Sequence, residues 1–227
     1  MSSDNMSPVN PLPPVVTALF LVIIGIEAVL QLGARGILGG ADAVGWRLEA
    51  VQRYAFSGEI FDWMVANGRW PAEHVIRLLS YALIHVSFTQ ALFAGVMVLA
   101  LGKMVGEVFS QLAVLAVFVL SAVTGALAYG LLVDSRVPLI GAFPGAYGLI
   151  GAFTYLLWLR LGQLGETQTR AFSLIGFLMG IQLVFGLLFG SQPDWVADIG
   201  GFVSGFTLSV FVIPGGWRRM RDRLRHR

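Results

Sequence analysis

The sequence contains no cysteine, which excludes disulfide bonds, thiol catalysis and thiolate metal sites. Charged residues are also scarce, at 12% of the 227 residues, whereas a typical soluble domain has about 25%. Hydrophobic residues make up 56% of the chain. A soluble globule of this size would lack the polar surface that keeps it dissolved, so the composition indicates a membrane protein.

Long apolar runs indicate how often the chain crosses the membrane. Four runs contain no charged residue over 19 to 26 positions: 108–133, 137–159, 171–193 and 199–217. Each can span a hydrocarbon layer of ~30 Å at ~1.5 Å per residue. Two further runs are interrupted by one ionisable residue each, Glu27 and His85. We therefore predict an all-α polytopic bundle of six transmembrane helices at about 15–34, 76–102, 108–133, 139–160, 171–190 and 195–214.

The distribution of positive charge predicts the orientation. The C-terminal tail, 217–227, carries six of the fifteen Lys and Arg residues, whereas the lead-in, 1–14, carries none. Positive charge marks the cytoplasmic side, so we expect both termini in the cytoplasm around a membrane domain at 15–216. The tail is expected to attract anionic lipid, and no basic face elsewhere favours nucleic acid. Because no signal peptide or organelle-targeting segment is visible, we expect a bacterial inner membrane.

The segment 35–75 between the first two predicted helices is too long for a structureless loop in a compact protein. It mixes charged residues with aromatic residues, among them Trp46, Trp63 and Trp70. Tryptophan and tyrosine prefer the boundary between lipid and water. We therefore predict short helices that lie at the membrane interface.

Three segments carry a specific resemblance. In IRLLSYALIHVSFTQALFAG (76–95), GAFPGAYGLIGAF (141–153) and ADIGGFVSG (197–205), the order and spacing resemble motifs of the rhomboid intramembrane serine proteases. The matching positions are Arg77, Ser80 (where the family has Thr), His85, Gly141, Tyr147, Gly151, Gly201 and Gly205. The resemblance implies a rhomboid-like six-helix fold with a long first external loop. It also implies that Arg77 anchors that loop and that Gly201 and Gly205 pack the last helix against the fourth.

The chain departs from the rhomboid pattern at the positions that carry the chemistry. The nucleophilic Ser is replaced by Phe143 or by Pro144, depending on the register, and the catalytic His is replaced by Asp198. Gln90 and Ala94 stand where the family has a second His and an Asn, which help to hold the oxyanion. Serine-protease catalysis requires a hydroxyl nucleophile and a base that removes its proton, and these positions supply neither the hydroxyl nor the histidine. The resemblance therefore implies a pseudoprotease that binds transmembrane segments of client membrane proteins and influences their assembly, stability or turnover.

Several polar residues within the predicted spans have two interpretations. Asp198, near Tyr147 and within reach of His85 or Gln90, is either a client or proton site or a structural hydrogen-bonding group. His85 is either a proton-linked switch or, as we favour, a group that bonds a loop backbone and holds the first loop. Glu27 either pairs inside the bundle or sits near its external end.

Three other functions receive less support from the sequence. An active rhomboid-type endopeptidase with an atypical site would need Ser80, Ser87, Ser121 or Thr124 to act with His85. A small transporter or channel is disfavoured by the lack of an internal repeat and by the few polar residues in the spans. An aspartate-pair protease is disfavoured because Asp194 and Asp198 lie one turn apart on one predicted helix. We predict no metal and no cofactor.

Overall fold

The computed structural model describes residues 11–189 and 193–213. Most of them form helices, and within these ranges the only β-type pairing is an isolated bridge between Phe56 and Leu139. The α-helices are α1 (Pro14–Ala34), α2 (Trp46–Tyr54), α3 (Gly58–Asn67), α4 (Ala72–Val75), α5 (Arg77–Ser80), α6 (Phe88–Gly106), α7 (Gln111–Leu132), α8 (Phe143–Gln163), α9 (Ser173–Phe189) and α10 (Trp195–Val212). Short 3₁₀ helices form at Gly40–Gly45, Tyr81–Leu83 and Gln168–Phe172. The predicted basic tail, 217–227, lies outside the described residues.

The six long helices follow the six predicted spans, which confirms the all-α polytopic fold. Among the described residues, α1, α6, α7 and α10 are long and apolar enough to cross a membrane, with hydropathies of 1.5 to 2.4. Helix α8 contains more glycine and aromatic residues than these four helices, and it packs against α6, α7 and α10. The described part of α9 is 17 residues long.

The second long helix begins later than the sequence suggested. We expected it to begin at residue 76, whereas α6 begins at Phe88. The physical reason is a helix cap: Ser87 has an extended backbone, and its hydroxyl accepts a hydrogen bond from the Gln90 N–H at 3.3 Å. The preceding residues form α4, α5, a 3₁₀ turn and a loop. His85 therefore lies in a loop rather than in the middle of a span.

Direct backbone contact joins α8 to α10 at the centre of the bundle. A Cβ atom on Gly201 would overlap the carbonyl oxygen of Pro144, and one on Gly205 would overlap the carbonyl oxygen of Gly148. Small residues permit such approaches, which strengthen helix packing where lipid offers little hydrophobic driving force. The two helices therefore form a rigid centre on which the candidate site is built.

The segment between α1 and α6 is fastened to the loop that precedes α8. Phe56 and Leu139 exchange backbone hydrogen bonds of 3.1 and 2.8 Å. The Arg77 guanidinium donates to the Ala55 carbonyl at 3.1 Å, and the Ser80 hydroxyl donates to the Tyr54 carbonyl at 2.9 Å. These bonds give Arg77 the geometry of a loop anchor. The predicted interfacial segment, 35–75, folds into a 3₁₀ helix and the helices α2, α3 and α4.

Candidate functional site

The site begins at the turn that leads into α8. Gly141 adopts φ = +107°, a conformation that disfavours any residue with a Cβ. Its N–H donates to the Tyr81 carbonyl at 3.0 Å, and the next N–H, of Ala142, donates to His85 Nε2 at 3.2 Å. The two consecutive backbone N–H groups that precede α8 are thus already hydrogen-bonded within the protein.

His85 is completely buried and acts as a hydrogen-bond acceptor at Nε2. Burial lowers the pKa of His85 from 6.5 to about 4, although the nearby Glu27 carboxylate opposes this shift. The ring is therefore neutral at pH 7, which is the form that can accept from Ala142. The geometry is that of a residue joining the segment before α6 to the segment before α8.

An ion pair between the buried Glu27 and the partly buried Arg47 holds the backbone of His85. Arg47 on α2 donates to both carboxylate oxygens of Glu27 on α1, at 2.7 and 3.0 Å. The same guanidinium donates to the His85 carbonyl at 2.6 Å and to Gln31 Oε1 at 3.2 Å. The Glu27 side chain is 1% exposed. Glu27 therefore pairs inside the bundle, and its partner comes from the interfacial segment, which the sequence did not indicate.

Gln90 and Phe143 flank the Gly141 turn. A Cβ atom on Gly141 would lie 3.4 Å from Gln90 Nε2 and 3.5 Å from the Phe143 ring. Gln90 Oε1 accepts from the Val86 N–H at 2.7 Å, so the amide caps the loop before α6. Phe143 is half-buried, and Ala94 is completely buried in α6. The space beside the turn is thus occupied by an aromatic ring and an amide.

Pro144 occupies a different environment from Phe143. It is buried, and its Cβ lies 2.6 Å from the position that a Cβ on Gly125 would take. The Ala197 carbonyl oxygen is 2.8 Å from that same position. Pro144 therefore lies between α7 and α10, next to the turn of α10 that carries Asp198.

Asp198 lies in the first turn of α10 and is 4% exposed. Its Oδ2 accepts a hydrogen bond from Gln182 Nε2 of α9 at 2.9 Å. We expected Tyr147, His85 or Gln90 as its partner. Sequence reasoning missed Gln182, although it is the only amide side chain in α9 and an isolated amide in an apolar span usually has a polar partner.

Three of the four hydroxyl groups that an atypical protease would need are hydrogen-bonded to backbone groups. Ser80 donates to a backbone carbonyl, Ser87 caps α6, and Thr124 donates to the Leu120 carbonyl at 2.8 Å. Ser121 is completely buried, facing Gly148, and its hydroxyl has no hydrogen-bond partner among the described residues. Among the described residues, no hydrogen bond joins any of these hydroxyls to His85. Nor do the described His, Asp and Glu residues form a group of three or more that could hold a metal ion.

The comparisons with known proteins agree with this architecture. The family model of the rhomboid domain matches residues 72–215, which is more than half of the chain. This chain belongs to the rhomboid family. No curated protein matches it. The family match and the apolar helices together make it an integral membrane protein.

The rhomboid motifs can now be placed on the structure. The turn at Gly141 and the start of α8 face α6 on one side and α10 on the other. Tyr147 is buried in α8, and a Cβ atom on Gly151 would overlap the Phe202 carbonyl of α10. We call the end of the bundle that carries α2 to α5 the loop end. The three segments that resemble rhomboid motifs therefore meet in one region at the loop end. The assignment of Phe143 or Pro144 to the nucleophile position remains a prediction.

Proposed function

We propose that this rhomboid-family protein is non-catalytic, and that it binds transmembrane segments of other membrane proteins and influences their assembly, stability or turnover. The proposal is carried by the residues at the positions that, by the resemblance, correspond to the catalytic Ser and His. Asp198, aligned with the catalytic base, is bonded to Gln182, and neither Phe143 nor Pro144 offers a hydroxyl. A serine hydrolase needs a hydroxyl within hydrogen-bond reach of a base.

The alternative, an endopeptidase with an atypical site, receives less support. Among the described residues, His85 is the histidine that contacts the α8 turn, and its Nε2 already accepts from a backbone N–H. A general base must reach the proton that it removes, directly or through one water. Because Ser80 and Ser87 are bonded elsewhere, pairing either of them with His85 would require the loop before α6 to rearrange.

The proposed client site is the gap between α6 and α9, which in active rhomboids admits substrate. Both helices carry large exposed apolar side chains, such as Phe93 at 66% on α6 and Phe177 at 65% on α9. A client helix would gain van der Waals contact with these side chains, and each polar contact would add about 0.6–2 kcal/mol.

We also propose the cellular placement that the sequence favours. The protein lies in a bacterial inner membrane with both termini in the cytoplasm. The basic tail, 217–227, binds anionic lipid, because clustered Arg residues next to a membrane helix are attracted to negatively charged headgroups. The loop end of the bundle then faces away from the cytoplasm.

The full chain in liposomes provides the test. It is incubated with a fluorophosphonate probe and, separately, with a transmembrane reporter that an active rhomboid cleaves in parallel. We expect neither labelling nor cleavage by the natural chain. Phe143→Ser/Asp198→His and Pro144→Ser/Asp198→His serve as comparisons for the two registers. Cleavage or labelling by the natural chain, abolished by His85→Ala, would contradict the proposal and identify an atypical protease.

A further inference from the structure

Helix α9 is attached to the bundle differently from α10. It packs against α8 and against the 3₁₀ helix at Gln168–Phe172, without the backbone contact that joins α10 to α8. Among the described side chains of α9, the hydrogen bond from Gln182 to Asp198 is the only one that reaches another helix. This bond joins α9, one of the two helices that flank the proposed client gap, to α10.

The Asp198–Gln182 pair has more acceptors than donors. Gln182 Nε2 donates to Asp198 Oδ2, but the buried Gln182 Oε1 has no hydrogen-bond partner among the described residues. A carboxylate accepts up to about four hydrogen bonds, and an amide oxygen accepts two. A buried acceptor without a partner is unfavourable, so a donor brought from outside would be stabilised here. An ionised acidic guest would be repelled by the negative charge of the Asp198 carboxylate.

We propose that Asp198 and Gln182 form a recognition site for client transmembrane helices that carry a hydrogen-bond donor: Asn, Gln, Lys or Arg. The inference rests on the proposed function and specifies the client. The donor group bridges the carboxylate of Asp198 and the Oε1 atom of Gln182. The pair thus selects among otherwise similar apolar helices by supplying acceptors that lipid lacks.

The position of the pair sets the depth of the donor. Asp198 lies three residues after Trp195, the first residue of α10, which places it within about 5 Å of the helix start at ~1.5 Å per residue. The donor must therefore lie about one turn inside the leaflet at the loop end. A Lys at that depth can extend its ammonium group to the water interface, so Asn is the more discriminating probe.

The test uses the full chain in liposomes of phosphatidylcholine and phosphatidylglycerol, with a photo-crosslinking amino acid in place of Phe177, which is exposed on α9. The probes are polyleucine transmembrane peptides with one guest residue, Leu, Asn or Asp, moved in one-turn steps. We expect Asn to crosslink about 3- to 20-fold more than Leu, with a maximum one turn from the loop end, and Asp to crosslink less than Leu.

Variants identify the groups responsible. Asp198→Leu is expected to bring the Asn-to-Leu ratio to about one, and Gln182→Met to lower it. Asp198→Asn keeps a carbonyl acceptor and should keep part of the preference, which guards against a folding defect in the leucine variant. Thr207→Val is the matched control, because Thr207 donates only to the Val203 carbonyl of its own helix, at 2.7 Å. Its ratio should match that of the natural chain.

The outcomes separate the two proposals. Equal crosslinking of Leu and Asn guests, or a preference that survives in Asp198→Leu, would overturn the recognition site while leaving client binding in place. An absence of crosslinking with every guest would overturn both.

Discussion

Replacing Arg47 with methionine is expected to destabilise the protein by about 3–5 kcal/mol. The reason is that Glu27, whose side chain is 1% exposed, would lose both hydrogen bonds to the guanidinium, at 2.7 and 3.0 Å. Removing one partner of a buried ion pair leaves an uncompensated charge, which costs about 3–5 kcal/mol. The His85 carbonyl would also lose its donor at 2.6 Å. Reversible unfolding in mixed micelles, followed by circular dichroism, measures the change.

Two further variants make this prediction specific. Replacing both partners, Glu27→Met with Arg47→Met, should recover most of the loss, because an apolar pair carries no desolvated charge. The control is Arg170→Met. Arg170 pairs with Glu166 at 3.2 Å, but their side chains are 72% and 50% exposed, so this change should cost less than about 1 kcal/mol. The reasoning is refuted if Arg47→Met costs no more than Arg170→Met, or if the double variant is no more stable than Arg47→Met alone.

Two other predictions concern helix packing and pH. Gly205→Ala should destabilise the bundle by about 3 kcal/mol, because the new Cβ would overlap the Gly148 carbonyl. Gly176→Ala is the control: because the space at its Cβ is open, it should be neutral or stabilising by about 0.5–1 kcal/mol. Equal unfolding midpoints for the two variants would refute the direct contact of α8 with α10. Burial lowers the pKa of His85 from 6.5 to about 4. The neutral ring therefore contributes about 3 kcal/mol to the free energy of unfolding. This contribution is complete above pH 6.5 and is lost as the pH falls towards 4. His85→Gln should remove this dependence, and parallel pH profiles of unfolding for the variant and the natural chain would contradict it.

Composition and apolar runs were sufficient to predict the fold class. In lipid, a backbone segment must satisfy its own hydrogen bonds, so charge-free runs leave little choice other than helices. The start of α6 was harder to predict, because residues 76–87 are nearly as apolar as the helix that follows. The local cap at Ser87 and the bonds of His85 and Arg77 decide that boundary.

The partners of the buried polar groups were not predictable. The sequence identified Glu27 and Asp198 as residues that need partners, but spacing along the chain does not give distances between helices. Arg47 is 20 residues from Glu27, and Gln182 is 16 residues from Asp198. These groups meet only in the folded chain, where α2 packs against α1 and where Gln182 of α9 reaches Asp198 of α10. By contrast, Gly201 and Gly205 share one face of a helix, and this spacing favours close contact with another helix. The resemblance to rhomboids implied that the other helix is α8.

We propose that the protein holds a client helix without cleaving it. The most direct measurement is the mass of the adduct formed when a transmembrane reporter is photo-crosslinked to the full chain in liposomes after prolonged incubation. We predict an adduct that contains the whole reporter, at a yield reduced by an excess of unlabelled reporter. An adduct that contains only a reporter fragment, or free reporter fragments in the same sample, would contradict the claim.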